Sequence, residues 1–546
     1  MIKYDVLIIG AGPAGLAAAN EFVPYLGKLK IALFDKASFF GGSGGNTDNK
    51  WNILRSDATE SVTGFWHLID DQGGVWSRPY IEAMTYAGAE KMEKLLSGSK
   101  NESDLGKPEW YEYDPEVYHF WNEISKTHGL TFEKLVQFHI GSIRGREVMQ
   151  RWGRQLQSAG IDTQLNNEIL SVENSSDPDN RFKILAKKGV YFVRNVIIAK
   201  GRSKVEYNED LLVKLSKSLG FDIVTNPIDI GVRIEFLPKA MRAVTTWHTA
   251  SGEERSGIYD PKFRFKSARG DWIRTFCSNV KGGRLSLEKL NGLPIVNGES
   301  DPKWYGQPAN TALLDTISLR EPNANAIDWA MRQLFDFDQL TSLPGETSRV
   351  MIQRLGDFLG PSFYSLNPWI INYENGIAHP PIVFPPVNVW KYRRSRFSPG
   401  YHNSFNREGF FKTTLETKDG TLLGTPGDFH MAFNGRICDN LRDTILALGA
   451  LFPGILHPST VLAGPEIKMY AVRGVADGFS QTKVKGLYVA GDGGRGTHGI
   501  APSFVNGMNA AHGILLSFGH SPTFKSRGKE YTVSPELVGA NASKMI

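Results

Sequence analysis

The residues best suited to phosphate chemistry lie near the start of the sequence, at Gly10-Ala-Gly12-Pro13-Ala14-Gly15. In a turn of this spacing, Gly10 permits a sharp change of direction and Gly12 lets a pyrophosphate approach the backbone. Gly15 allows close helix–strand packing, and the helix N-terminus offers N–H groups and a partial positive charge. We therefore expect Gly10, Gly12, Pro13, Ala14 and Gly15 to bind nucleotide phosphates.

An acidic residue follows at a suitable distance. Asp35 lies 20 residues after Gly15, and Lys36 is its neighbour. In dinucleotide sites an acid at this position accepts hydrogen bonds from ribose hydroxyls. An ordinary glycine turn would leave this combination unexplained, so the pattern predicts a dinucleotide site that includes Asp35 and Lys36.

A second glycine-rich stretch covers residues 39–52. So many glycines just after the acid indicate a backbone that wraps a flat or phosphate-bearing ligand, with polar side chains interspersed as donors and acceptors. The residues expected to bind this ligand are Gly42, Ser43, Gly44, Gly45, Asp48 and Lys50. The alternative is a flexible loop in solvent.

The other end of the chain bears on which dinucleotide is bound, because FAD and NAD both use such a turn. An apolar strand at 486–490 leads to Gly491 and Asp492, and Gly499-Ile500-Ala501 then precedes a helix. This arrangement resembles glutathione-reductase-like flavoproteins, in which the acid holds the ribityl chain and the helix N-terminus faces the flavin N1/O2 edge. The resemblance implies FAD; a turn-forming or helix-capping acid is the alternative for Asp492.

One histidine stands next to this closing motif. His498 comes immediately before Gly499, where an imidazole would exchange protons with a substrate or stabilise the charge of a reduced flavin. We predict His498 as the catalytic residue, with a turn histidine bonded to the backbone as the alternative. The histidines show no pairing with nearby acids that would argue for a metal, so no metal site is predicted.

A parallel sheet is needed to position these motifs. Apolar segments at 4–9 and 30–34 flank the glycine turn and a small-residue helix at 16–22, which together form one βαβ unit. The predicted fold class is α/β. It comprises a Rossmann-like FAD-binding domain assembled from both chain ends, with an inserted α+β substrate or cap domain.

The predicted domain boundaries are the points at which the nucleotide-binding sequence pattern stops and resumes. Residues 1–204 form the first part of the FAD-binding domain, with 51–130 as a helical and loop cap insertion. Residues 205–425 form the substrate or cap domain, and 426–546 form the second part of the FAD-binding domain. Further expected helices are 143–159, 441–451, 472–479 and 503–516, and further expected strands are 162–172, 181–186, 190–199, 228–236 and 272–277.

Several stretches together resemble the bacterial family of FAD-dependent dehydrogenases, which belongs to the glutathione-reductase-like superfamily and is related to flavoproteins of the fumarate-reductase type. They are the 39–52 cluster and residues 198–203, 229–235, 274–278 and 486–500. The resemblance implies that Ile169, Lys200 and Gly201 also contribute to the FAD site. Asn49 and Trp51 depart from the family's Gly and Leu, and Lys200 replaces a residue that is usually small or apolar.

The implied activity is an FAD-dependent oxidoreductase that exchanges a hydride between flavin N5 and a small organic substrate. There is no second GxGxxG on a strand–turn–helix unit and no CxxC pair, which argues against a disulfide reductase. An FAD monooxygenase that uses O₂ and NAD(P)H as a transient reductant stays open. A flavin-dependent tRNA-modifying enzyme is a second alternative.

The amino-acid composition limits the class of protein, its partners and its location. Hydrophobic residues make up 41% of the 546 residues and charged residues 22%, which is typical of globular proteins. The net charge of +5 is spread along the chain without a basic run, so neither nucleic acid nor membrane is indicated as a partner. Two cysteines and no signal-peptide pattern predict a cytoplasmic, soluble protein. The oligomeric state is not predicted.

Overall fold

The fold is described from a computed structural model. It describes residues 2–46, 49–55, 58, 69, 71, 74–97, 109–177, 179–201, 207–248, 254–300, 308–317, 326–342, 349–366, 373–374, 377–378, 413–416, 422–469, 472–494 and 499–545. The chain divides into two compact units. The first unit comprises Met1–Glu112, Lys134–Asn226 and Tyr470–Ile546, and the second comprises Tyr113–Glu133 and Pro227–Met469.

The strands are numbered in chain order. They are β1 Ile2–Ile9, β2 Ile31–Phe34, β3 Lys50–Ile53, β4 Glu109–Tyr111, β5 Leu130–Phe132, β6 Val136–His139, β7 Asp162–Gln164, β8 Ile169–Asn174, β9 Phe182–Ala186, β10 Gly189–Ile198, β11 Ile223–Val224, β12 Ile228–Phe236, β13 Thr246–His248, β14 Glu254–Ser256, β15 Phe263–Lys266, β16 Trp272–Asn279, β17 Arg284–Leu290, β18 Leu293–Glu299, β19 Ala309–Ile317, β20 Val350–Arg354, β21 Tyr373–Glu374, β22 Ile377–Ala378, β23 Gly424–Pro426, β24 Val461–Met469, β25 Arg473–Gly474, β26 Leu487–Val489, β27 Thr523–Ser526 and β28 Lys529–Thr532.

The α-helices are numbered in the same way. They are α1 Pro13–Phe22, α2 Arg78–Ser97, α3 Pro115–Thr127, α4 Ser142–Ala159, α5 Leu211–Leu219, α6 Arg242–Thr245, α7 Ala326–Thr341, α8 Leu355–Leu359, α9 Pro361–Leu366, α10 Gly435–Leu451, α11 Ile500–Ser517 and α12 Pro535–Val538.

The main sheet of the first unit has a parallel core. Its order is β7-β2-β1-β10, with β26 also paired to β10 and all four of these contacts parallel. Strands β9 and β8 extend it in antiparallel fashion. A strand covered on both faces is apolar without alternation, as the fully buried β2 and the buried end of β1 show. The unit therefore has a Rossmann-like α/β fold.

The register of these strands determines where ligand-binding loops emerge. Ile9 pairs with both Phe34 and Ile198, and Ile198 pairs with Val489. Because the strands are parallel, their carboxyl ends meet at one edge of the sheet. Loops at the carboxyl ends of such strands form the ligand crevice of open α/β sheets.

The second unit is an α+β structure built on an antiparallel sheet. The order is β23-β20-β24-β12-β19-β16-β15-β5, and only the β20–β23 pair is parallel. Side chains alternate between the faces of a strand, so β12 directs Ile230, Val232 and Ile234 to one face and Asp229 and Arg233 to the other. All of β12 is buried, which places a charged layer inside this unit.

The boundaries of the units differ from the predicted domain boundaries. The chain passes from the first unit to the second at Asn226/Pro227 and returns at Met469/Tyr470, whereas the sequence suggested 204/205 and 425/426. The range 51–130, expected to contain helices and loops, also holds β3 and β4, and its residues from Tyr113 onward belong to the second unit. Whether the units act as cofactor and substrate domains stays a prediction.

Two predicted elements are wrong. The expected strand 162–172 is two strands, because β7 ends at Gln164 and pairs with β2, whereas β8 begins at Ile169 and pairs with β9. Residues 472–479 were expected to be helical, but Arg473–Gly474 is strand β25, paired with β11. The following residues form a turn, in which the Asp477 carboxylate accepts from the Phe479 and Gln481 N–H groups. Strand β25 forms because it pairs with β11, which is far away in the sequence, and the turn forms because Asp477 accepts hydrogen bonds from its main chain. The local apolar pattern carries no signal for either contact.

Among the residues that the structure describes, no helix combines the length and the apolar character needed to cross a membrane.

Candidate cofactor-binding site

Two of the three motif glycines are explained by packing within the protein. Gly10 has φ +109°, and a Cβ there would lie 2.5 Å from the Ala199 carbonyl oxygen. A Cβ on Gly15 would overlap the Gly10 carbonyl oxygen, because α1 starts so close to β1. The protein's own backbone therefore requires glycine at both positions.

Gly12 is different. Its φ of −79° is open to any residue, and among the described residues the nearest atom to a Cβ there would be the Gly41 carbonyl oxygen, at 3.9 Å. The polypeptide thus leaves space at Gly12 that a side chain would fill. That space lies at the carboxyl end of β1, where a ligand is expected to approach the backbone.

The N-terminus of α1 faces this space without a capping side chain. Gly12 is the N-cap, Pro13 is the first helical residue, and the first turn contains no acid. An N-terminus with this composition presents main-chain N–H groups and a partial positive charge. Together with the space at Gly12, it is suited to bind a phosphate group.

The acid at the end of β2 is held against the glycine turn. Oδ2 of Asp35 accepts from the Ala11 N–H at 2.6 Å, and Oδ1 accepts from the Ala37 N–H at 2.7 Å. Each carboxylate oxygen can accept a further hydrogen bond, and the side chain is partly exposed. Asp35 therefore orients the turn and retains acceptor capacity for a ribose. Lys36 is exposed.

The second glycine-rich stretch is fastened to the same turn. The Gly41 N–H donates to the Ala11 carbonyl oxygen at 2.8 Å. A Cβ on Gly42, where φ is +50°, would lie 3.4 Å from the Cα of Gly12. This stretch is therefore not a separate solvent loop, and it forms one wall beside the space at Gly12.

The remaining residues of this stretch take different positions. A Cβ on Gly44 would lie 2.6 Å from Cγ of Pro13, and the Gly45 carbonyl accepts from Nε of Arg146 at 3.3 Å. Ser43 is partly buried in the 3₁₀ turn Gly42–Asn46. Lys50 begins β3. Asp48 lies outside the described residues.

The closing motif meets the N-terminal motif directly. Gly491 has a φ of +70°. A Cβ atom added at Gly491 would lie 3.3 Å from Cβ of Ala14 and 3.3 Å from the Lys200 carbonyl oxygen. The Gly493 N–H donates to that same carbonyl at 3.2 Å. Asp492 lies on this 3₁₀ turn, Gly491–Gly493, and is partly buried. The turns after β1, β10 and β26 are therefore adjacent.

Helix α11 completes this edge of the unit. Its N-cap is Gly499, with φ +119° and no capping side chain, and its first turn contains no acid. Ile500 Cδ1 lies 3.7 Å from the Cβ position of Gly44, which brings the start of α11 to the glycine-rich stretch; Ala501 is buried. The predicted catalytic residue, His498, lies outside the described residues.

A buried ion pair lies beside the closing turn. Lys200 Nζ donates to Oδ2 of Asp210, which is fully buried and also caps α5 by accepting from the Leu212 N–H at 2.9 Å. Burial lowers the pKa of Lys200, and the carboxylates of Asp210 and Asp492 oppose that shift. Gly201 is exposed, and a Cβ there would meet no atom within 4 Å.

Ile169 takes a structural position. Its side chain is 8% exposed and belongs to the hydrophobic core that also contains Ile9 and Phe34. Its contribution is packing beneath the strand ends; a contact with a cofactor stays a prediction.

Sequence reasoning missed three residues that shape the site. Gly41 ties the two glycine-rich stretches together, Asp210 neutralises Lys200, and Gly507 lets α11 approach the main chain of Ala14. Asp210 carries a detectable signal as the acid that precedes the helical run of α5. The partners of Gly41 and Gly507 have no signal in the local sequence.

The strand order and these turns define a Rossmann-like α/β unit. No family model matches the sequence, and a search of curated proteins finds no match. Solved structures that the fold resembles include glycine oxidase from Geobacillus kaustophilus, at 10% identity over 96% of this chain and 97% of that chain, with a TM-score of 0.35. A mutant of the E. coli quinol fumarate reductase subunit FrdA has 13% identity over 94% and 70%, with a TM-score of 0.36. CtdE in complex with FAD and a substrate has 13% identity over 94% and 80%, with a TM-score of 0.32. Because these values are low, the fold assignment rests on strand order and turn geometry.

Proposed function

We propose that this chain is an FAD-dependent oxidoreductase that exchanges a hydride between flavin N5 and a small organic substrate. The observation that carries the proposal is the space at Gly12. Gly10 and Gly15 are required by the protein's own packing, whereas nothing in the described part of the chain requires glycine at position 12. A pyrophosphate between this glycine and the N-terminus of α1 accounts for it.

The surrounding residues fit an extended dinucleotide. The main-chain N–H groups at the start of α1 would hold the pyrophosphate, and Asp35 would accept from the adenosine ribose. Asp492 would hold the ribityl chain, since its turn contacts that of β10 through the Lys200 carbonyl. The N-terminus of α11 would stabilise negative charge at the flavin N1/O2 edge. When bound, FAD would supply the hydride acceptor.

Lys200 and Asp210 act on this site as a positioning pair. The Lys200 ammonium lies near Asp492 and is held by the buried Asp210. The Lys200 ammonium and the Asp492 carboxylate attract each other, which would hold the Asp492 side chain in place. This supports a role for Lys200 in cofactor binding through Asp492.

The test begins with the cofactor. Purified protein should be yellow and should release FAD, because the adenosine-binding features would have no purpose with FMN. Release of FMN, or a colourless protein that FAD cannot reconstitute, would refute the proposal.

The reaction is then tested under anaerobic conditions with a metabolite panel, and with NADH and NADPH as separate reductants. Bleaching of the flavin by a metabolite alone is the expected result. Bleaching only by NAD(P)H, followed by O₂-dependent hydroxylation of a substrate, would replace the proposal with the monooxygenase alternative.

A further inference from the structure

Strand β25 places an arginine beside the closing turn. Gly474 of β25 forms a parallel bridge with Gly494, which directly follows the turn Gly491–Gly493. A Cβ on Gly474 would lie 2.9 Å from Cγ1 of Val489, in the strand that leads into that turn. Side chains alternate along a strand, so Arg473 points to the opposite side from Gly474, away from the hydrophobic core that contains Val489.

The charge of Arg473 has no partner within the described part of the chain, where its guanidinium makes neither an ion pair nor a hydrogen bond. The acids on the neighbouring segments are directed elsewhere. Asp222 pairs with Lys483 at 2.8 Å, and Asp477 accepts from main-chain N–H groups of its own turn. Arg473 is partly buried. Burial lowers the pKa of its guanidinium, and no charge of the described residues opposes that shift.

Lys200, at the same edge of the sheet, shows how this unit accommodates another cation. Its ammonium is bound by the carboxylate of the fully buried Asp210. Withdrawing a charge from water without a counter-charge is unfavourable, so Arg473 lacks a stabilisation that Lys200 has. An anion that is not part of the polypeptide would supply it.

The closing turn separates Arg473 from the space that we assign to the pyrophosphate. Gly491, where the turn begins, meets Ala14 of α1, whereas Gly494, just after its end, meets β25. The phosphates would therefore lie at the first end of the turn and Arg473 at the other. Because the isoalloxazine ring of oxidised FAD is uncharged, we expect the anion to come from a second ligand.

The face of β25 that carries Arg473 is open to a ligand. Val224 of β11 pairs directly with Arg473, and residues directly opposite each other in an antiparallel pair lie on the same face. Val224 is 40% exposed, so a ligand can reach Arg473 from this side. The isopropyl group of Val224 offers apolar surface next to the guanidinium.

We propose that Arg473 binds the carboxylate of an organic substrate whose apolar part contacts Val224. The planar guanidinium fits the two oxygens of a carboxylate, and one cation matches the single charge of a monocarboxylate. As the assignment of a substrate class, this rests on the proposed oxidoreductase function; as a binding site, it is tested independently.

The test is isothermal titration of the FAD-loaded protein with butyrate, hexanoate and benzoate, each compared with its neutral amide and with inorganic phosphate. At least one carboxylate should bind more tightly than its amide and than phosphate. Arg473→Gln should weaken that binding about ten-fold or more. Arg154→Gln, which changes an exposed arginine of the same unit, should leave it unchanged.

Two substitutions at Val224 test the same site without altering Arg473. Val224→Glu places a carboxylate directly opposite Arg473 and should pair with it. The ligand-free protein should then melt at a higher temperature, and the carboxylate ligand should no longer bind. Val224→Gln has nearly the same shape without the charge and should show neither change.

Thermal melting separates this role from a structural one. Because the charge of Arg473 is unpaired in the ligand-free protein, Arg473→Gln should melt no lower than Arg154→Gln. A lower melting temperature would overturn the proposal. So would carboxylates that bind no more tightly than their amides or than phosphate, or unchanged binding in both Arg473→Gln and Val224→Glu.

FAD content, measured on every sample, separates the two proposals. Protein that cannot be loaded with FAD refutes the proposed function, and the melting comparisons still test the Arg473 site. FAD-loaded protein that binds none of the carboxylates refutes the Arg473 site alone.

Discussion

A Cβ atom on Gly507 would overlap the carbonyl oxygen of Ala14, because helix α11 lies directly against the main chain of α1. This contact joins the two ends of the chain, since Ala14 also touches the turn at Gly491.

We expect Gly507→Ala to force the two helices apart and to lower the free energy of unfolding by about 1–3 kcal/mol. Thermal melting compares it with Gly27→Ala, an exposed glycine at which a Cβ meets no atom within 4 Å. Equal melting temperatures for the two variants would contradict this packing.

Gly12→Val should abolish FAD retention, because the side chain would occupy the space that we assign to the pyrophosphate. The cofactor-free variant should still fold and melt close to cofactor-free wild type, since a Cβ at Gly12 meets no atom of the described residues nearer than 3.9 Å. The measurement is FAD per protein after gel filtration, with Gly27→Val as the control. Normal FAD content in Gly12→Val would show that the cofactor is misplaced.

Asp492→Ala should weaken FAD retention less than Gly12→Val does. The substitution removes one hydrogen-bonding group and leaves the turn Gly491–Gly493 and the start of α1 in place. FAD dissociation constants, measured by fluorescence on reconstituted protein, should follow the order wild type, Asp492→Ala, Gly12→Val. Wild-type affinity in Asp492→Ala would return Asp492 to a turn-forming role.

His498→Asn should slow flavin reduction about 100-fold to 10,000-fold if the imidazole transfers protons. FAD content should stay normal, because the phosphate and ribose contacts are assigned elsewhere. Stopped-flow reduction across a pH range checks this, with His119→Asn, which alters an exposed histidine, as the matched control. An unchanged rate and pH profile would leave His498 as a turn residue.

Glu235 should make the second unit less stable as the pH rises. Burial raises its pKa from 4.5 to about 7, although Thr414 and Thr413 donate hydrogen bonds to it. Between these two values the folded state holds a proton that the unfolded state has released. Stability therefore falls with rising pH across this window.

We expect Glu235→Gln to remove the free-energy cost of ionising the buried Glu235 carboxyl group and to stabilise the protein above pH 7 by up to about 3 kcal/mol. The difference in melting temperature between variant and wild type, measured from pH 5 to 8, isolates Glu235 from Asp315 and Asp357, whose pKa values shift in the same direction. Glu116→Gln, at an exposed site, is the control. A difference that does not change with pH would refute the prediction.

The sequence by itself determined the elements whose signals are local. The apolar run before Gly10 and the small residues after Gly12 sufficed for β1 and α1. The predicted helix 143–159 is confirmed as Ser142–Ala159, and the predicted strand 228–236 is confirmed as Ile228–Phe236. Periodicity, glycine spacing and apolar runs act within a few residues, so a reader of the sequence can detect them.

Only the tertiary structure decided what depends on distant partners. It paired Arg473–Gly474 with β11 in place of a helix, and it directed the Asp35 carboxylate to the Ala11 and Ala37 amides. It also joined Lys200 to Asp210 and left Gly12 as the motif glycine with space beside it. Such contacts form between segments far apart in the chain, and their geometry depends on how the sheet and helices pack rather than on any local pattern.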